Sequence, residues 1–197
     1  MLPLILLLSL GCKQDTEDTA EEPFLPDLPV ETCGGSDHLW IDDTELGTIV
    51  DWEYLDELSM EASMIGGLLE AAGAAFIEPV YDVRTYHIRY ISQDRGELIE
   101  TTGLRTVPDL PSGEELDAAT LVWTHGTSGF TDECAPSAHS LEGGAFNIAF
   151  ASQGHAVVAP DYLGMNGMGD PAPFLHPYIV PEPTAVATLD SVRAMWR

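Results

Sequence analysis

Apolar and polar positions along the chain divide it into segments of two different periods. From Trp52 to about Ala75, Leu58, Ala62, Ile65, Leu69 and Ala72 recur every three or four residues, which predicts an amphipathic helix weakened at Gly66-Gly67. Val80 to Ser92 is rich in Tyr, Val and Ile. It alternates, with Val83, Thr85, His87 and Arg89 on one face, as a strand does. A second strand from Glu97 to Val107 follows the turn at Asp94-Arg95-Gly96, predicting an antiparallel hairpin with a loop of about five residues at the edge of a sheet. Ala119 to Trp123 is a short apolar run that predicts a fully buried strand. A helix capped by Ser137 is expected to run to about Ser152 on the stripe Leu141, Ala145, Ile148 and Ala149, with Gly154 ending it. His155 to Pro160 is a second buried strand. The unit 119–160 is thus β-loop-α-β, which implies a right-handed crossover and a parallel pair. A Gly, Met and Pro loop over 165–183 precedes a last helix from Thr184 with Val186, Leu189, Val192 and Trp196 at helical spacing. Residues 24–52 show no sustained period and are expected to be loop, with a short strand near Leu39 to Ile41.

Composition sets bounds on this α/β pattern. With 197 residues, 45% of them apolar, the chain suits one domain with a sizeable core. Seven basic residues against 33 acidic give a net charge of −26, which excludes nucleic acid as a partner because little could neutralise phosphates. Met1 to Gly11 is an apolar run too short to span a bilayer and reads as a signal peptide. Leu8-Ser-Leu-Gly-Cys12 resembles the bacterial lipobox, which implies lipidation of Cys12, export and anchoring in the cell envelope. Residues 12–32 follow as an acidic tether unable to bury enough surface to order itself, leaving 33–197 as the domain. Cys33 and Cys134 then remain as an even pair in an exported protein, and a disulfide between them is expected.

Chemistry concentrates where the strand at 119–123 stops, at His125-Gly126-Thr127-Ser128-Gly129. A glycine loop between a strand and a helix is read either as a plain turn or as a loop whose backbone N–H groups face a developing negative charge. Continuing to Cys134-Ala-Pro-Ser137, and taken with Ala151-Ser-Gln-Gly-His-Ala-Val-Val-Ala-Pro-Asp-Tyr-Leu-Gly164, His176-Pro-Tyr178 and Leu189-Asp-Ser-Val-Arg193, it resembles the α/β-hydrolases of the secretory-lipase group, exported serine esterases. The resemblance covers about 80–197. It implies the N-terminal half of an α/β-hydrolase sheet, an antiparallel edge hairpin followed by parallel strands with crossover helices. It implies that Thr127 offers its N–H to an oxyanion, that His125 and Gly126 shape the loop, and that Asp161, Tyr162 and His176 belong to the site's floor.

That family's nucleophile sits in a G-x-S-x-G elbow, and this sequence contains none. No triad residue is assigned, therefore, and the chain alone is expected to be inactive, contributing the oxyanion loop of an enzyme acting on ester or lipid substrates. Ser128, Asp132 and His139 lie close in sequence, which does not make a triad. His38, His87, His139, His155 and His176 show no metal-ligand spacing and no C-x-x-C occurs, so neither metal nor cofactor is expected. A non-catalytic surface lipoprotein of the same fold and an exported serine peptidase are the alternatives. In a half-sheet, the strand at 155–160 would carry an unpaired apolar edge and lower solubility.

Overall fold

The computed structural model describes residues 41–112 and 117–197. The proposed signal peptide and tether, with Cys12, Cys33 and His38, lie outside these residues. Among the described residues, no helix is long and apolar enough to cross a membrane.

Five strands form one mixed sheet. They are β1 (Ile49–Tyr54), β2 (Val83–Asp94), β3 (Glu97–Pro108), β4 (Thr120–Val122) and β5 (Ala156–Pro160), in the spatial order β1-β2-β3-β5-β4. The first three and β5 pair antiparallel, whereas β4 pairs parallel with β5, as the β-loop-α-β unit requires. Helices α1 (Ala62–Ala71) and α2 (Ser140–Ala151) pack on one face and α3 (Pro181–Met195) on the other. Strand β5 shows why both faces need cover: Val157 and Ala159 enter the cluster with Leu58, Ile65, Leu104 and Ile148. Ala156 and Val158 enter the one with Ile88, Tyr90, Ala194 and Met195.

Several expectations are corrected. The hairpin does not lie at the edge, because β1 adds outside β2. Trp52 and Tyr54 belong to β1, not to the helix expected from Trp52 onward, which starts at Ala62. β1 presents its aromatic rings outward, where Trp52 and Tyr54 meet Tyr86 edge to face, so it lacks the buried alternation that marks a strand in sequence. The hairpin loop is two residues, Arg95 and Gly96, with φ of 51° and 83°, since Asp94 pairs directly with Glu97. Two positive φ values are what a type I′ turn needs to match strand twist. The strand at 156–160 is interior, and the open edge belongs to β4, which is accordingly only partly buried. Three residues make a short edge, which limits the templating of aggregation.

The helices are rotated from their predicted stripes as well. α2 begins at Ser140 and turns Gly144, Asn147, Ile148 and Ala151 inward while Leu141 and Ala145 face out, because Gly144 sits against the Leu58 side chain. α3 leaves Leu189 and Trp196 exposed and buries Ala187, Asp190, Ser191 and Ala194. Tyr90 donates its hydroxyl to the Ala187 carbonyl at 2.9 Å, and Ser92 Oγ donates to Asp190 Oδ2 at 2.8 Å. Burial raises the Asp190 carboxyl above its ordinary value, opposed by Ser92 and Arg193.

Candidate active site

Strands β4 and β5 run parallel and end side by side, so the segments leaving their carboxyl ends meet there. Such crevices are where open α/β sheets hold ligands. One more ladder bond, from Trp123 N–H to the Val158 carbonyl at 2.8 Å, carries the pair to the start of the loop. The loop from Thr124 then turns through His125 to Gly129. Gly129 has φ of +152°, and a Cβ there would collide with Cys134 Sγ, so only glycine lets the two approach. No acceptor among the described residues takes the N–H of Gly126, Thr127 or Ser128. These three residues are solvent-exposed and line a cleft of about 280 Å³, facing Tyr162, Met165, His176, Tyr178 and Ile179. On the other side of the loop lies a cleft of about 610 Å³ walled by Trp123, Cys134, Pro136, His139 and Phe146.

Both ends of this loop are fastened to the two residues after β5. At its start, Tyr162 donates its hydroxyl to the His125 carbonyl at 3.0 Å and its ring stacks on the His125 ring, centroids 4.2 Å apart. At its end, Ser137 N–H donates to Asp161 Oδ1 at 2.9 Å and Ser137 Oγ donates to Asp161 Oδ2. Thr102 Oγ1 from β3 donates to Asp161 Oδ2 at 2.6 Å. Ser137 is thus a tether rather than a helix cap. Short 3-10 turns at Asp132–Cys134 and Pro136–Ala138 lead into α2, whose capping position is His139 without a side-chain bond.

This network contains Ser, His and Asp, and its connectivity shows that it is not a triad. The single hydroxyl hydrogen of Ser137 goes to Asp161, so His87 Nε2, 2.6 Å away, must be the donor to Ser137 Oγ. A nucleophilic serine instead gives its proton to histidine, which the acid holds from behind. Ser137, His87 and Asp161 are 5%, 4% and 1% exposed, so no substrate reaches them. Gly167 closes the cluster, its N–H donating to Thr102 Oγ1 at 2.8 Å where a side chain would strike Ser137 Oγ. His87 and Ser137 escaped sequence reading in this role because their partners lie 50 and 24 residues away.

Burial lowers the His87 pKa below its ordinary 6.5, against the opposing pull of Asp161 and Glu53, so the ring is held neutral. The unfolded chain therefore binds a proton that the folded one refuses. Stability contributed by this group is complete above pH 6.5 and is lost as pH falls from there towards the folded value. Urea unfolding of the His87→Gln variant is expected to lack this loss as pH falls below 6.5, while the parent loses up to about 1.4 kcal/mol per pH unit.

The remaining residues singled out in the sequence separate from one another. Asp132 accepts N–H bonds from Asn166 at 2.7 Å and Ala172 at 3.1 Å, anchoring the 165–178 loop. His139 Nε2 lies 2.8 Å from the Glu133 carbonyl, and Ser128 Oγ reaches only Met165 Sδ at 3.9 Å. The three form no triad. His176 joins the cleft wall: its Nδ1 is 2.9 Å from the Leu163 carbonyl, its N–H donates to Phe130 at 3.0 Å, and its ring lies 5.9 Å from Tyr162. Tyr178, its neighbour, places a hydroxyl 3.2 Å from Thr127 Oγ1. Cys134 is partly buried beside Thr131, whose hydroxyl lies 3.6 Å away and lowers the thiol pKa.

No protein-family model and no curated protein matches this sequence. Solved structures do match. A candidate hydrolase from Legionella pneumophila is 27% identical, with a TM-score of 0.61 over 74% of this chain and 38% of its own. A ligand-bound form of the rice cell wall degrading esterase LipA from Xanthomonas oryzae is 23% identical, with a TM-score of 0.60 over 76% of this chain and 37% of its own. A variant of that esterase gives 24%, 0.59, 77% and 37%. The mixed α/β sheet with its helices is therefore the fold of the matching part of these hydrolase and esterase structures. The chain spans less than two fifths of the length of the structures it matches.

Proposed function

We propose that this chain is the N-terminal part of an exported serine hydrolase that cleaves carboxylic esters, and that its share of the active site is the oxyanion loop. The observation that carries this reading is the run of three N–H groups, Gly126 to Ser128, without acceptors at the carboxyl ends of two parallel strands. When a nucleophile adds to an ester carbonyl, the oxygen gains a full negative charge. Fixed backbone donors stabilise that charge without having to reorganise. Thr127 N–H serves as one such donor, and Tyr162 and Asp161 keep the loop in place. The nucleophilic serine, its histidine and its acid come from polypeptide beyond these residues, on a strand that in this reading pairs with the open edge of β4. Ester or lipid is the substrate. Lipidation of Cys12 would hold the enzyme at the cell envelope, with the acidic segment 12–32 as spacer.

The reading is tested with the polypeptide encoded by the complete reading frame. It is expected to hydrolyse p-nitrophenyl acetate and to lose that activity to a serine-directed phosphonate. An inert polypeptide whose frame lacks a G-x-S-x-G elbow would identify a non-catalytic member of the fold instead.

A further inference from the structure

The glycine loop raises a physical problem: Gly126 and its neighbours are exposed and intrinsically free to move, whereas a charge-stabilising donor works only if its direction is fixed beforehand. Something must restrain the peptide plane that precedes Thr127. Within the described residues, the His125 ring turns back on its own loop, with Nδ1 2.7 Å from the Gly126 carbonyl. That contact is local and cannot fix the loop relative to the sheet. Thr127 Oγ1 and Tyr178 OH meet at 3.2 Å, a contact between two exposed side chains. Ser137 N–H holds the loop's far end to Asp161, and His125 Nε2 lies 3.4 Å from the Asp161 carbonyl; at the His125 end the shorter tie, made to the loop's backbone from a buried residue, is Tyr162. Its ring is 6% exposed, its hydroxyl holds the His125 carbonyl at 3.0 Å, and its own carbonyl accepts from Thr101 Oγ1 of β3 at 2.9 Å.

The backbone of Tyr162 sharpens the point. Its φ is +70°, a left-handed conformation that costs a non-glycine residue energy and persists only where surroundings enforce it. A glycine would relieve that strain and would lose both the ring and the hydroxyl. Here the left-handed turn directs the side chain away from the path of β5 and onto the His125 ring, 4.2 Å centroid to centroid and 24° from parallel.

We propose that Tyr162 is a positioning residue for the oxyanion donors: its strained backbone aims a buried hydroxyl at the His125 carbonyl, and that bond orients the peptide whose successor carries the Thr127 N–H. The inference rests on the proposed hydrolase reading for its catalytic meaning, and on the geometry alone for its mechanical one. Tyr162→Phe separates the hydroxyl from the ring, because the stack on His125 survives. Tyr90→Phe serves as control. It removes another buried tyrosine hydroxyl, one whose hydrogen bond goes to the Ala187 carbonyl of α3 at 2.9 Å and not to the His125 carbonyl.

Two measurements decide it. In the 197-residue chain, backbone order parameters for Gly126 and Thr127 are expected near about 0.85 in the parent and the Tyr90→Phe variant, and below about 0.6 in Tyr162→Phe. Unchanged order parameters in Tyr162→Phe would overturn the proposal whatever the enzyme does. In the polypeptide that includes the nucleophile, Tyr162→Phe is expected to lower kcat about tenfold or more with KM within about twofold, since a transition-state contact is weakened and ground-state binding is not. A rise in KM at unchanged kcat would make Tyr162 a substrate-binding residue and also overturn the proposal. If the parent polypeptide shows no phosphonate-sensitive turnover, the hydrolase reading fails, and the order parameters still decide whether Tyr162 holds the loop.

Discussion

Replacing Asp161 by alanine is expected to cost on the order of 4 kcal/mol of folding stability. The carboxylate is 1% exposed and accepts from Ser137 N–H, Ser137 Oγ and Thr102 Oγ1. Hydrogen bonds to a charged acceptor contribute about 1.5–3 kcal/mol each, and removal leaves three buried donors unpaired. Asp161→Asn keeps one acceptor oxygen and is expected to cost about half as much. Urea denaturation followed by circular dichroism checks both. A loss below about 1 kcal/mol in Asp161→Ala would mean that water or a rearranged partner satisfies those donors. The effect should also appear locally, since Ser137 is the only side chain anchoring the far end of the loop to the end of β5 among the described residues.

The second large effect concerns the reaction. In the polypeptide that carries the nucleophile, Thr127→Pro deletes one N–H and is expected to lower kcat by about 10²–10³, the cost of removing one oxyanion donor. Thr127→Ala keeps that N–H and loses only the contact of Oγ1 with Tyr178, at 3.2 Å and exposed, so its expected loss is below about tenfold. Steady-state kinetics on p-nitrophenyl acetate separate the two variants. Equal losses in both would place the function of Thr127 in its side chain and remove the backbone from the account.

The parts of the fold that could be read from sequence are those whose signal is local and two-sided. Strand β5 is apolar on both faces because helices cover both, and the glycine loop between β4 and α2 is marked by its own residues. What was illegible depends on distant partners. Trp52 and Tyr54 of β1 look like the start of a helix until Tyr86 supplies the neighbour that makes them a sheet edge. Leu141, Leu189 and Trp196 read as core on hydrophobicity alone, yet the helices turn them outward because Gly144, Ala187 and Ala194 permit closer approach. Ser137 has the sequence context of a helix cap, and only the fold brings Asp161 and His87 to it. Of the residues that the motifs single out, His125, Gly126, Thr127, Tyr162 and His176 line one cleft, and Asp161 lies buried beside them with its carbonyl 3.4 Å from His125 Nε2. The direction in which Asp161 acts, outward to Thr102 and Ser137 instead of to a histidine, required coordinates.

That distinction sets the most direct test of the central claim, that these residues steady a charge which another part of the polypeptide creates. A fluorophosphonate probe is reacted with the polypeptide from the complete reading frame, and the labelled serine is located by peptide mass spectrometry. A single labelled serine outside residues 1–197 is expected, with Ser128 and Ser137 unmodified. Label on Ser128 or Ser137 would contradict it, because the loop or its buried tether would then hold the nucleophile itself.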